Sequence, residues 1–100
     1  MAYVRTKEGQ EQHDRSVAYW ANQVINACWS YVRSDLPGNP KPDPIGGHIP
    51  DVYAHHSNQE YVIEVETSDS KNSEHAQLQK VTFQKWANSA PGRIFQVKLV

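Results

Sequence analysis

The chain has 100 residues, of which 38% are hydrophobic and 21% are charged, so it can build one modest core but not two. Ten basic against eleven acidic residues give a net charge of −1, which argues against a broad phosphate-binding surface unless a divalent cation offsets clustered acids. No apolar stretch approaches the roughly 20 residues that cross a bilayer, and the N-terminus lacks a signal-peptide pattern. We therefore expect a soluble, cytoplasmic, single-domain protein.

An amphipathic helix is the first predicted element, running from about Glu11 to Arg33. Glu11 and Asp14 fall in its first turn, where negative charge suits the helix dipole. Cys28 lies on its apolar stripe and is expected to be an inert packed thiol; as the only cysteine it excludes an internal disulfide. The residues that share the helical spacing of that stripe are Val17, Trp20, Ala21, Val24, Ile25, Cys28, Tyr31 and Val32.

The segment from Leu36 to Pro50 cannot form a long regular element, because it holds five of the six prolines. Loops of this length are usually functional or packed down by their own side chains. We expect it to form a flap beside the functional site, preceded by a weak strand over Ser34 to Pro37.

Two strands, Ile49 to His56 and Glu60 to Glu66, are predicted to form a hairpin. With Asn58-Gln59 as a two-residue turn, the apolar partners fall on one face of the sheet. The predicted pairs are Val52 with Val65, Ala54 with Ile63, and His56 with Tyr61. The residues predicted on the other face are Asp51, Tyr53, His55, Val62, Glu64 and Glu66.

A second helix is predicted from about Ser73 to Ala90, with Ser73 as its N-cap and Pro91-Gly92 ending it. The alternating segment Arg93 to Val100 reads as a last strand. The element order is then αβββαβ. This order predicts an α/β domain with a mixed sheet flanked by helices.

Three acidic residues are expected to gather on the hairpin. Glu64 and Glu66 are two apart on a strand and point the same way, about 6.6 Å apart. The predicted register places Asp51 directly across from Glu66. Three carboxylates on one face repel each other unless a cation such as Mg²⁺ or Mn²⁺ compensates. The alternative is that the two glutamates face solvent on a half-exposed sheet and that Asp51 only starts a strand.

Pro50-Asp51, twelve residues, then Glu64-Val65-Glu66 resembles the motif of the PD-(D/E)XK nuclease superfamily, which includes restriction endonucleases and archaeal Holliday-junction resolvases. The predicted element order is also that of the restriction-endonuclease-like core, and the resemblance spans almost the entire chain. The segments 11–13, 49–51 and 64–67 are similar to small archaeal members of this group.

The resemblance implies that Asp51 and Glu64 hold one or two Mg²⁺ (or Mn²⁺) ions, with the backbone carbonyl of Val65 as a further ligand. Glu11, or less favourably Asp14, corresponds to the first-helix acid of many members, although either could simply stabilise the helix N-terminus. The implied activity is metal-dependent hydrolysis of DNA phosphodiesters by an endonuclease or junction resolvase acting as a homodimer.

Position 66 departs from the family pattern, because the chain has Glu66 where most members have lysine. Glu66 can act as a base or a metal ligand but cannot supply positive charge. Lys71 and Lys80 are candidates to replace that charge and to contact nucleic acid; ordinary surface lysine is the alternative reading of both. The five histidines show no recognised zinc spacing.

Two other functions stay open at this point. The chain could be a nuclease-like module that binds nucleic acid or a protein partner without catalysis, which the glutamate at position 66 and the negative charge favour. It could also be a purely structural α/β domain with solvated strand carboxylates.

Overall fold

A computed structural model describes residues 6–67 and 73–100, and it confirms the α/β class and the αβββαβ order. A four-stranded mixed sheet in the order β1-β2-β3-β4 lies between two helices. The elements are α1 (Lys7–Asn26), β1 (Tyr31–Ser34), β2 (Val52–His56), β3 (Gln59–Glu66), α2 (Glu74–Asn88) and β4 (Arg93–Leu99).

Helix α1 begins earlier and ends earlier than its apolar stripe predicted. Thr6 caps it, since its hydroxyl oxygen accepts the backbone N–H of Gly9 at 3.0 Å. The predicted end at Arg33 is wrong because the chain turns after Asn26, and Cys28 adopts a positive φ of 67° that no helix contains. Cys28 is exposed there, so the expectation of a packed thiol is also wrong.

Strand β1 occupies Tyr31–Ser34, where the helix was predicted to continue, rather than 34–37. It pairs antiparallel with β2, with Tyr31 opposite His55 and Ser34 opposite Val52. Tyr31 and Val32 fit the spacing of the helical stripe, but both residue types also favour strands. Pairing with β2 stabilises the strand conformation over the helical one.

The β2–β3 hairpin forms as predicted, but its register differs by two residues. The turn is Ser57-Asn58, with Ser57 at a positive φ of 54°, and His56 pairs with Gln59. Val52 therefore lies opposite Ile63 instead of Val65. A shift of two residues keeps every side chain on its predicted face. The shift also places Glu64, instead of Glu66, across from Asp51.

One face of the sheet packs on α1 and forms the main core. The α1 residues Val17, Ala21 and Val24 meet four strand residues that are almost fully buried. Those strand residues are Val52, Ala54, Ile63 and Val65.

Helix α2 covers the β3–β4 half of the opposite face. Its Phe83 is fully buried and packs on Phe95 of β4, with ring centroids 5.6 Å apart. Strand β4 runs parallel to β3, so α2 is the crossover between them. Gly92, which immediately precedes β4, has a φ of +80°, and any side chain there would collide with the backbone oxygen of Asn58.

The 36–50 loop is held against α2 and leads directly into Asp51. Ile45 and His48 exchange backbone hydrogen bonds of 2.8 and 3.1 Å around Gly46 and Gly47, both at positive φ. A Cβ at Gly46 would lie 2.5 Å from Cγ2 of Thr82, which shows how closely the loop approaches the helix. Neither helix described here is long and apolar enough to span a bilayer.

Candidate functional site

Hydrogen bonds link Asp51, which immediately precedes β2, to Glu64 and Val65 near the end of β3. The backbone N–H of Asp51 donates to Oε1 of Glu64 at 2.9 Å, and the backbone N–H of Val65 donates to Oδ2 of Asp51 at 2.8 Å. Both acids are buried, with 7% and 5% exposure. Beyond the Val52–Ile63 pair, the two carboxylates thus accept the backbone N–H groups of the neighbouring strand. These hydrogen bonds explain why buried acids are tolerated at this position.

His13 of α1 reaches this site. Its Nε2 lies 3.1 Å from Oδ2 of Asp51, and its Nδ1 lies 3.3 Å from Asp14. His13 is 3% exposed. It holds the Asp51 side chain from the α1 side of the sheet, so Asp51 bridges the two layers. Glu11, the predicted first-helix acid, is exposed on α1.

Glu66 lies two residues further along β3, on the same side as Glu64, and is 4% exposed. The ammonium of Lys80 on α2 lies 3.2 Å from its Oε2. No described residue makes a well-aligned hydrogen bond to that buried oxygen, so the contact with Lys80 is ionic rather than a directed hydrogen bond. Lys80 is therefore placed beside the predicted site, while Lys71 lies outside the described residues.

The acids do not form the predicted group of three. Across residues 6–67 and 73–100, no three His, Cys, Asp or Glu side chains gather closely enough to hold one ion. The predicted opposition of Asp51 and Glu66 is wrong, because the register places Glu64 across from Asp51. The arrangement is instead a carboxylate pair, Asp51 with Glu64, and a separate acid–lysine pair, Glu66 with Lys80.

A cleft of about 530 Å³ opens on the α2 side of the sheet, over β1 and β2 where α2 does not cover them. Its polar floor is Glu60, which accepts from the Tyr53 hydroxyl at 2.6 Å and from Arg93 Nε at 3.1 Å. Burial, and next the hydrogen bond to Glu60, raises the pKa of Tyr53 far above its usual range. Burial alone would raise the pKa of Glu60, but the bonds from Tyr53 and Arg93 outweigh it and lower that pKa.

Sequence reasoning missed His13 as a site residue, although the signal was present. His13 falls four residues before Val17 on the same helical face as Ala21 and Val24, so a buried position could have been predicted. The network of Tyr53, Glu60 and Arg93 left no comparable signal, since it depends on the hairpin register and on the parallel pairing of β4.

Comparison with protein-family models, with curated proteins and with solved structures finds no match to this chain.

Proposed function

We propose that the chain is a Mg²⁺-dependent endonuclease or junction resolvase of the PD-(D/E)XK type that hydrolyses DNA phosphodiesters. The observation that carries the proposal is the pair of buried carboxylates, Asp51 and Glu64, at the adjoining ends of β2 and β3. Each carboxylate accepts a backbone N–H from the other strand. Structural carboxylates are usually exposed, so a buried pair at a strand end favours a functional site.

The donor set fits Mg²⁺ better than a metal that needs an all-protein cage. Mg²⁺ keeps several water ligands and is usually bound by one or two carboxylates together with substrate phosphate. Asp51 and Glu64 would supply those two carboxylates, and the carbonyl of Val65 a further oxygen. Glu11, exposed on α1, belongs to no group of three ligands among the described residues.

A bound divalent ion supplies positive charge that makes a water more acidic and offsets charge developing on the phosphate. His13 would position Asp51 for binding by fixing one of its oxygens. Glu66 would accept the proton of the attacking water, because its carboxylate lies on the same side of β3 as Glu64. Lys80 would supply the positive charge that most members carry at position 66.

The proposal includes DNA as substrate, a homodimer that presents two sites to two strands, and a cytoplasmic location. The test is cleavage of plasmid, branched and single-stranded DNA with Mg²⁺ or Mn²⁺ by wild type, Asp51→Asn and Glu64→Gln. Each variant should lose about 100-fold or more in rate. Glu8→Gln, an exposed acid of α1, is the matched control and should cut like wild type. Equal cutting by all four proteins would reject the proposal.

A second candidate is a non-catalytic module that binds nucleic acid or a protein partner, favoured by the absence of a three-ligand group among the described residues. Calorimetry distinguishes the two. Millimolar Mn²⁺ should give saturable heat that disappears in Glu64→Gln if the first proposal holds. No heat from wild type would select the module.

A further inference from the structure

The cleft over β1 and β2 is built from aromatic rings and hydrogen-bond acceptors. Tyr31 and Tyr53 stand edge to face with centroids 6.0 Å apart, and Trp86 of α2 forms the facing wall. Arg93 stacks on the Trp86 ring at 4.8 Å and holds it in place. The acceptor-bearing side chains that line the cleft are Asp43, His55 and Glu60.

Strand pairing explains why these groups converge. Tyr31 lies opposite His55, His55 opposite Glu60, and Glu60 opposite Arg93, so one row of side chains crosses all four strands on one face. The neighbouring row begins with Arg33 and Tyr53. Since α2 covers only the β3–β4 half, the β1–β2 half of both rows stays open.

The chemistry of the cleft fits a planar, nitrogen-containing ring. Aromatic walls favour stacking, and the exposed carboxylate of Asp43 favours a ligand that donates from an amino group. Arg33, whose guanidinium lies 5.0 Å above the Tyr31 ring, places positive charge at the margin of the cleft. A nucleobase with an exocyclic amino group and a phosphate beside it combines these features.

The cleft also lies beside the proposed site. Tyr53 is two residues from Asp51 along the chain, a separation of about 6.6 Å in a strand. A strand with one base in the cleft would therefore bring a nearby phosphate to the acid pair.

We propose that this cleft binds an unpaired adenine, cytosine or guanine base, so that the substrate of the proposed nuclease is single-stranded or carries a single-stranded segment. This inference rests on the proposed function for its biological setting, and its test does not depend on cleavage. Duplex DNA would present no free base to the cleft.

The experiment measures binding of fluorescein-labelled single-stranded oligonucleotides by anisotropy in EDTA, which prevents cleavage. Tyr31→Ala should weaken binding of oligo-dC and oligo-dA by about 5- to 150-fold, the usual effect of removing one stacking ring. Tyr31→Phe should bind like wild type, because it keeps the ring. Tyr19→Ala removes a more exposed tyrosine, on α1 and outside the cleft, and should bind like wild type.

The base preference supplies a second variant. Wild type should bind oligo-dC and oligo-dA more tightly than oligo-dT, and Asp43→Asn should reduce that preference, whereas Glu8→Gln should not. Equal binding by Tyr31→Ala and Tyr19→Ala, or duplex binding as tight as single-strand binding, would overturn the cleft proposal even if DNA is cut. Loss of binding in Tyr31→Ala without any cleavage by wild type would keep the cleft and reject the nuclease.

Discussion

Replacement of Asp51 by alanine should destabilise the metal-free protein. The Asp51 carboxylate accepts from the N–H of Val65 at 2.8 Å and lies 3.1 Å from Nε2 of His13, and both partners are buried. Hydrogen bonds to a charged group contribute about 1.5–3 kcal/mol each. Relief of repulsion between Asp51 and Glu64 offsets part of that sum. We expect a net loss of about 2–4 kcal/mol, equivalent to a Tm lower by roughly 10–25 °C for a domain of this size.

The assay is urea unfolding followed by the fluorescence of the three tryptophans, in EDTA so that metal binding adds nothing. Asp51→Asn keeps one acceptor oxygen and should lose less than Asp51→Ala. Asp43→Ala, an exposed acid of the 36–50 loop, is the matched control and should change stability by less than about 0.5 kcal/mol. Unchanged stability of Asp51→Ala would refute the reasoning and favour a solvated carboxylate, whereas increased stability would refute it by showing that repulsion between Asp51 and Glu64 outweighs the hydrogen bonds.

Three further predictions concern Lys80, Glu60 and Gly92. Lys80→Gln should slow DNA cleavage by about 10-fold or more while Lys80→Arg retains it, because only the arginine keeps positive charge beside Glu66; equal rates in both variants would contradict this. The folded state lowers the pKa of Glu60, so the Glu60 carboxylate stabilises the fold at pH values above its ordinary pKa of 4.5, and this stability is lost as the pH falls below that value. The unfolding free energy of Glu60→Gln should therefore fall less steeply with acidification than that of wild type. The same pH dependence in both proteins would contradict the assignment. Gly92→Ala should lower the Tm more than Gly38→Ala does, because both glycines have a φ of +80° but only the Cβ added at position 92 would collide with backbone atoms. Equal losses would contradict the close approach of Gly92 to Asn58.

The sequence predicted the element order because the strongest patterns are local. Helix α2 has a capping serine and a Pro-Gly stop, and its observed bounds lie within two residues of the predicted ones. The alternation from Arg93 onward predicted β4 equally well. The end of α1 could not be placed, since no glycine or proline marks the turn after Asn26 and the apolar spacing continues into β1.

The sequence pointed to Asp51, Glu64 and Glu66 but not to His13, and it did not predict how these side chains are arranged. Periodicity placed Glu64 and Glu66 on one face, and a register error of two residues preserves that face while exchanging the partner of Asp51. The observed turn, Ser57-Asn58, holds Ser57 at a positive φ, which is uncommon for serine. Residue type therefore did not point to this turn over Asn58-Gln59. The separation of the three acids into two pairs depends on His13 and Lys80, which belong to different helices.

We propose that Asp51 and Glu64 together bind a divalent ion, and a crystal structure grown with Mn²⁺ tests this most directly. We predict an anomalous density peak shared by the two carboxylates, with the carbonyl of Val65 nearby, and no such peak in Glu64→Gln. Crystals of wild type at millimolar Mn²⁺ with no anomalous peak at these two side chains, or with Mn²⁺ bound only elsewhere, would contradict it.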